Sequence, residues 1–430
     1  MKIEVSYGNE KIGFDIPKHN LAGIIRPGKQ QPPLTAEQIN TAICRSDCAA
    51  EFIKSVQDKK LCVLVPDGTR DLPIKEILNS AACLLHKPQF IRFMICTGTH
   101  NARTERNELL IEQIKSLMRE NGINNFDIAA HDCEKDEFIN AGTTSRQTEI
   151  LYNSAIKECD VFLALSDVKH HYFAGYSNPV KNLVPGLCAF KTVEQNHSLS
   201  LDNKSRFGAH PWHPAGNLQD NPLAADQLEA AEKILGKREF WAIVMISYSN
   251  KVQWVHFAKA KEAAAKAFEI ADQWNVFNVK PVQRMIVSCG GMPNDIDLYI
   301  AQRALELTKQ AIIEGGEILF VAACDKGIGA ERTMPHFWNL LIKPIDEIFS
   351  TVCNNPYKLF SHKPLRFAEM IKNLRKLWLL SKLPDDSVIS AHMHPAHDVQ
   401  NVVDGWIDEN PDEKILVVDG ANKIAIRSEH

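Results

Sequence analysis

The chain has 430 residues, and its 49 Lys and Arg against 53 Asp and Glu leave a formal charge of −4. With 45% hydrophobic and 24% charged residues, 21 Gly and 21 Pro, this is the balance of a globular enzyme large enough for two or three domains, which excludes a mini-scaffold, a disordered chain and a fibrous one. There is no global basic field for nucleic acid or anionic lipid. No apolar run approaches the roughly 18 residues of a membrane span, and the opening MKIEVSYGNEKIGFDIP alternates apolar with charged residues instead of forming a signal-peptide core. A cytoplasmic protein with neither nucleic-acid nor membrane partners is expected.

Short β-branched apolar runs recur in chain order at 60–67, 90–98, 160–167, 240–248, 284–291, 317–324, 376–383 and 414–420. Helical patterns lie between them, among them Thr104 to Glu120, Leu223 to Gly236, Ala258 to Trp274 and Ile296 to Glu314. This rhythm predicts an α/β fold of two domains, each a mainly parallel sheet flanked by helices, with the active site in the cleft between them. The segment DQWNVFNVKP (272–281) follows an Ala- and Lys-rich helix and precedes a new strand, so the domains are placed at 1–275 and 276–430. LDNKSRFGAHPWHPAGNLQDNP (201–222) is too rich in Gly, Pro, Asn and His to be a regular element and reads as a long ordered loop or lid. The 11 cysteines include no CxxC pair, and Cys62, Cys83, Cys96 and Cys324 stand in apolar runs as packed free thiols, so neither a disulfide framework nor structural zinc is expected.

Ligands of such sheets collect at the carboxyl ends of strands, and three of these ends are polar. The first runs into PDGTRDLP, where Asp67, Gly68, Thr69 and Arg70 form a tight turn that is either a plain capped turn or a place to clamp a carboxylate or phosphate through Arg70. The second, CTGTHNARTERN, sets His100 between a Gly-Thr turn and a helix. The third, DVFLALSDVKHHYFAGYSNPVKNLVPGLCAFKTVEQNHS, carries His170, His171, Lys181 and His197 around special Gly and Pro positions. Lys181 there reads as a point charge or nucleophilic amine beside a phosphate- or cofactor-binding loop.

These motifs resemble the lactate racemase family of nickel-pincer enzymes, with matches from Asp67 to about Arg303. In that family a histidine of an H-Y-F-A-G-[FY]-S segment precedes the cofactor-bearing lysine by ten residues and the nickel-ligating histidine follows sixteen later; His171, Lys181 and His197 stand at those intervals. The family's D-x-T-R turn is similar to Asp67 to Arg70, and its G-T-H to Gly98, Thr99 and His100. The resemblance implies an isomerase that inverts C2 of a 2-hydroxy acid through a nickel-pincer nucleotide, a pyridinium bis-thiocarboxylate mononucleotide tethered to Lys181 and made by separate cofactor-biosynthesis proteins. His197 would ligate nickel, and His100 and His171 would be the acid/base pair. Asp67, Gly68, Thr69, Arg70, Tyr299 and Arg303 would contact cofactor, with Arg70 and Arg303 also facing substrate.

Departures point away from lactate toward another 2-hydroxy acid or an aldonate, handled by a racemase or 2-epimerase. Asn178 and Pro179 replace the Gly-Gly of lactate-specific members, and CGGMPNDIDLYIAQR offers Ile300 and Arg303 where they have Gln and Lys. FSHKPLRFAEM places His362, Lys363 and Arg366 at the start of an amphipathic helix, similar to a segment of non-lactate members; it is either a solvated basic face or a set of substrate donors. Two alternatives stand beside this reading. One is a zinc-type metallohydrolase built on His392, His394, His397 and Asp398 or on His210 and His213; the other is a non-catalytic cofactor carrier, which would need neither His100 nor His171.

Overall fold

The computed structural model describes residues 1–27, 31–70, 72–248 and 250–429. The chain divides into two compact units, one of residues 30–272, the other of residues 1–29 together with 273–430. No helix among the described residues is long and apolar enough to cross a membrane.

In the unit of 30–272, the apolar runs become a six-stranded sheet in the order Lys251–Lys259, Glu239–Tyr248, Val161–Asp167, Lys60–Pro66, Phe90–Cys96 and Phe126–Ala130. All neighbours are parallel except the antiparallel Lys251–Lys259 edge. The central strands are buried along nearly their whole length, as expected of a sheet covered on both faces. Phe52 meets Trp241 and Phe257 edge-on, with centroids 5.5 and 5.4 Å apart, at the centre of a core that runs from Ile39 to Phe257. Thr104 caps the helix Glu105–Glu120, and Asn221 caps Pro222–Leu235, which stops at Gly236 with φ of 59°. The first strand of the sheet lies in its middle and the chain order departs from it in both directions. Lys60–Pro66 and Val161–Asp167 therefore flank a topological switch point, where carboxyl ends leave a crevice.

The other unit has a wholly parallel six-stranded sheet, ordered His394–Ala396, Lys376–Leu380, Ile312–Val321, Val282–Ser288, Ile415–Asp419 and Leu21–Ile25. Residues 1–29 were expected with the N-terminal domain; they join this unit instead. Leu21–Ile25 extends its sheet alongside Ile415–Asp419, and Ile3, Val5, Phe14 and Ile16 of the N-terminal hairpin enter its core. The segment 272–281 is not an open linker: the helix Ala260–Asn275 leads directly into the strand Val276–Val279, which pairs with Ala425–Ser428.

Cys83, read as a packed free thiol, is bonded to Cys44 with the Cα atoms 6.4 Å apart. The cause is helix packing that no spacing rule shows: Asn40 Nδ2 donates to Ser80 O at 3.1 Å and brings the helix Ala36–Cys44 onto the Ile74–Ser80 segment just ahead of Cys83. Cys62, Cys96 and Cys324 are buried free thiols.

Candidate functional site

The turn after Lys60–Pro66 is built around Asp67, which is only 3% exposed. Asp67 Oδ1 accepts from Thr69 N at 2.8 Å and from the Thr69 hydroxyl, while Oδ2 lies 2.7 Å from His100 Nδ1. Burial alone would raise the Asp67 pKa, but His100, the Arg70 cation and the Thr69 hydroxyl outweigh it and hold the group well below the usual carboxylate range. A carboxylate only accepts, so Nδ1 of His100 carries the proton and Nε2 is the ring's basic nitrogen. His100 is otherwise exposed, its side chain 44% accessible, and so is Arg70. Gly68 is required here: a Cβ would lie 2.7 Å from the Arg106 carbonyl carbon, and its N–H donates to Asn107 Oδ1 at 2.8 Å.

Beyond Val161–Asp167 the chain forms a minimal hairpin, His170–His171 against Gly175–Tyr176. It leads to the short helix Pro179–Leu183, capped by Asn178, whose Oδ1 accepts from Val180 N and Lys181 N. Asn182 Nδ2 donates to Leu165 O at 2.7 Å and Leu64 O at 3.4 Å, which ties the Lys181 helix to both strands at the switch point. Gly98 N donates to Gly186 O at 3.0 Å and draws the Gly-Thr-His turn to the end of the same helix.

Phe173 gathers the remaining residues. Its ring lies 4.4 Å from the His171 ring and 5.3 Å from the His197 ring, and Lys181 Nζ sits 5.6 Å over it. Ala174 N–H donates to His171 Nδ1 at 3.3 Å. His197 closes the helix Phe190–Ser198; loss of solvent and the neighbouring Lys181, against a contact with the Val193 backbone, push its pKa down to about 3, and its Nδ1 is shielded from solvent. A neutral imidazole is the form that ligates metal. The helix is anchored by a residue with no signal in the sequence, buried Asp226, which accepts from Asn196, Thr144 and Thr148. Asp67, Gly68, Thr69, Arg70, His100, His171, Lys181 and His197 thus all lie in the unit of 30–272.

The loop 201–222 is ordered over this hairpin. Asn221 Nδ2 donates to Phe173 O at 2.9 Å and Ala209 O at 3.0 Å, while its Oδ1 caps the next helix. His210 and His213 are buried in it, and burial, His213 and Lys181 push the His210 pKa down to about 3.

Tyr299, Arg303, His362, Lys363 and Arg366 belong to the other unit. Asp297 caps the helix Leu298–Thr308 at Ile300 N, and Lys363 of the helix His362–Asn373 reaches across to it. Lys363 Nζ lies 4.1 Å over the Tyr299 ring and donates to Tyr299 O and Gln302 Oε1. Arg366 pairs with Glu306 at 3.1 Å, and His362 Nδ1 lies 2.7 Å from the Tyr357 hydroxyl. The solvated basic face does not form, because His362 and Lys363 are buried. Burial, with Arg303 and Arg366 adding to it against Asp297 and Glu306, lowers the Lys363 pKa to about 7.

Among the described residues no group of three or more His, Cys, Asp or Glu is placed to hold a metal. The histidines of 392–397 have separate partners: His392 Nε2 meets Lys343 O at 2.8 Å, His394 lies against Trp378, and His397 pairs with Asp385. The zinc-type alternatives therefore lose their ligand set. A nickel ion whose other donors come from an organic group needs no such cluster, and Lys181 and neutral His197 on one aromatic ring suit that case.

Residues 7–208 match the family model described as the lactate racemase N-terminal domain. The lactate racemase of Thermoanaerobacterium thermosaccharolyticum is 26% identical over 337 residues, 76% of each chain. That of Lactiplantibacillus plantarum is 26% identical over 276 residues, 63% of this chain and 62% of its own. The fold agrees with the structure of the T. thermosaccharolyticum lactate racemase apoprotein, at a TM-score of 0.82 and 22% identity over 99% of this chain and 100% of that one. A Thermotoga maritima protein is similar at a TM-score of 0.66 and 15% identity over 94% of this chain and 100% of its own. The matched sequence region holds the Asp67 turn, His100, His171, Lys181 and His197, and over it the chain is similar to the N-terminal domain of the lactate racemase family.

Proposed function

We propose that the chain is a 2-hydroxy acid racemase or 2-epimerase that uses a nickel-pincer nucleotide. The observation that carries the reading is the convergence of His171, Lys181 and His197 on the Phe173 ring, with His100 and its buried carboxylate on the adjoining strand end. Lys181 would hold the nucleotide as a thioamide and His197 would ligate nickel, with Gly68 and Thr69 as further cofactor contacts. When bound, the group supplies a two-electron acceptor for the hydrogen on C2 of the substrate.

The protein's own part is charge and proton placement. Arg70, exposed on its turn, offers a guanidinium fork for the C1 carboxylate. His100 takes the hydroxyl proton on Nε2, and Asp67 stabilises the imidazolium that results. His171 serves the hydroxyl of the opposite enantiomer. Two bases are needed because the two enantiomers present that hydroxyl in different positions. Ile300 and Arg303 depart from the lactate pattern and favour another 2-hydroxy acid, whereas Lys363, Arg366 and His362 are engaged with Tyr299 and Gln302, Glu306 and Tyr357.

The test is intact-protein mass and nickel analysis after coproduction with cofactor-biosynthesis enzymes, followed by chiral chromatography of a panel of 2-hydroxy acids and aldonates. Expected are a mononucleotide-sized adduct on the wild type that is lost in Lys181→Ala, nickel that is lost in His197→Ala, and inversion of at least one panel member. A wild type without adduct or nickel under those conditions would overturn the reading.

A further inference from the structure

The hairpin that presents His171 has only two residue pairs, His170↔Tyr176 and His171↔Gly175. A ribbon that short has no independent stability in water. His170 and Tyr176 stand directly opposite each other, so their side chains share one face, and alternation puts His171 on the other. On the shared face both polar tips end on one atom: Asp272 Oδ1 lies 2.8 Å from His170 Nε2 and accepts from the Tyr176 hydroxyl at 2.6 Å. Asp272 Oδ2 faces His213 Nε2 at 3.6 Å. Burial would raise the Asp272 pKa, but His170, His213 and Tyr176 hold it well below the usual carboxylate range, so it stays an acceptor. Phe268, one helical turn earlier on Ala260–Asn275, stacks on the Tyr176 ring with centroids 4.0 Å apart and planes at 15°.

We infer that Asp272 is a positioning residue: it staples the two strands of the His170–Tyr176 hairpin from behind and so sets the place of His171 and Phe173 in front. The inference rests on the acid/base role proposed for His171. The geometry gives the staple a direction, because Asp272 meets the His170 and Tyr176 face of the hairpin while alternation puts His171 on the other. Removing the carboxylate loosens the presentation of His171 and leaves Lys181, His197 and Arg70 in place, each of them held by other contacts.

The experiment compares wild type, Asp272→Asn and Tyr176→Phe, each coproduced with the cofactor-biosynthesis enzymes, in three readouts: intact mass, hydrogen exchange of peptides over 168–178, and kcat and KM separately. Asp272→Asn keeps the volume and one acceptor oxygen but not the charge. Expected are an unchanged Lys181 adduct, at least tenfold faster exchange confined to 168–178, kcat lowered ~10- to 100-fold and KM within about twofold; these follow from a misplaced acid/base group. Tyr176→Phe, which removes one of the two bonds, should fall between. Unchanged exchange and kcat in Asp272→Asn would overturn the inference, as would loss of the adduct or faster exchange across the whole unit, since either would make Asp272 a general folding residue. Should the wild type carry no adduct, the functional reading fails by itself, and the exchange arm still decides whether Asp272 staples the hairpin.

Discussion

Asp67 shows how one buried side chain sets the chemistry of another. It is ionised because His100, Arg70 and Thr69 together outweigh its burial, and its charge fixes which nitrogen of His100 is basic. Asp67→Asn is expected to leave the Lys181 adduct intact and to lower kcat by ~10²–10⁴-fold, the range seen when a general base loses its orienting carboxylate; an adduct-bearing variant with wild-type kcat would refute that role. The same depressed pKa has a stability consequence. Asp67 and Asp272 both sit below their unfolded values of about 3.9, so their stabilisation is fully present above that pH and is lost as pH falls toward the folded pKa. Calorimetry should show the wild-type melting temperature falling on acidification below about pH 4, with a shallower fall in Asp67→Asn. Lys363 has the same pH slope in a higher window but the opposite effect at neutrality, since burial disfavours its charged form: its folded pKa of about 7 lies below the unfolded value, so the unfolded chain binds more protons between the two and stability rises with pH. Relative to Lys363→Met, the wild type should gain up to about 1.4 kcal/mol per pH unit above pH 7. A difference that does not change with pH would show that the ammonium stays charged in the fold.

Elements follow from the sequence to the extent that their burial is uniform. All eight long apolar runs are strands, because a parallel strand covered on both faces needs no polar alternation. The edges escape the same reading: Lys251–Lys259 and Phe126–Ala130 are buried only in part, and their mixed pattern does not stand out from a loop. The site was legible in the same uneven way. His100, His171, Lys181 and His197 lie at strand ends or at intervals that motifs preserve, whereas Asp272, Asp226 and Asn221 act through contacts between elements far apart in sequence and carry no local signal. Gly175 marks where such a contact becomes visible. Its φ is +76°, and a Cβ there would collide with the Ala209 carbonyl of the covering loop. Gly175→Ala should therefore cost about 3 kcal/mol, from left-handed strain and overpacking together, and lower the melting temperature by about 6–12 °C. A shift below about 2 °C would mean that the loop moves aside freely and does not clamp the hairpin.

At the scale of the whole molecule the chain is interleaved, and this is the feature that the sequence hides best. A domain border placed at 275–276 from local composition misses that Leu21–Ile25 pairs with a strand near the opposite end of the chain. Parallel pairing across such a separation leaves no trace in any short window. The consequence is an asymmetry between the two units. Among the described residues, the core cluster of 30–272 runs from Ile39 to Phe257 with Leu34 packed against it, all within this continuous segment. The other unit takes Ile3, Val5, Phe14 and Ile16 from the N-terminus; at about 1.5–3 kcal/mol for each buried side chain, their loss amounts to roughly 6–12 kcal/mol, comparable with the about 5–15 kcal/mol by which a whole domain is stable. Expressed alone, residues 30–272 should melt cooperatively and, with the biosynthesis enzymes present, should still acquire the mass adduct on Lys181. Residues 273–430 alone should not melt cooperatively, and should recover that behaviour when residues 1–29 are joined ahead of Gln273 through a flexible linker. Cooperative unfolding of 273–430 without the N-terminal segment would show that the hairpin and the Leu21–Ile25 edge strand decorate a self-sufficient sheet, and that the interleaving is a matter of chain tracing with no energetic weight.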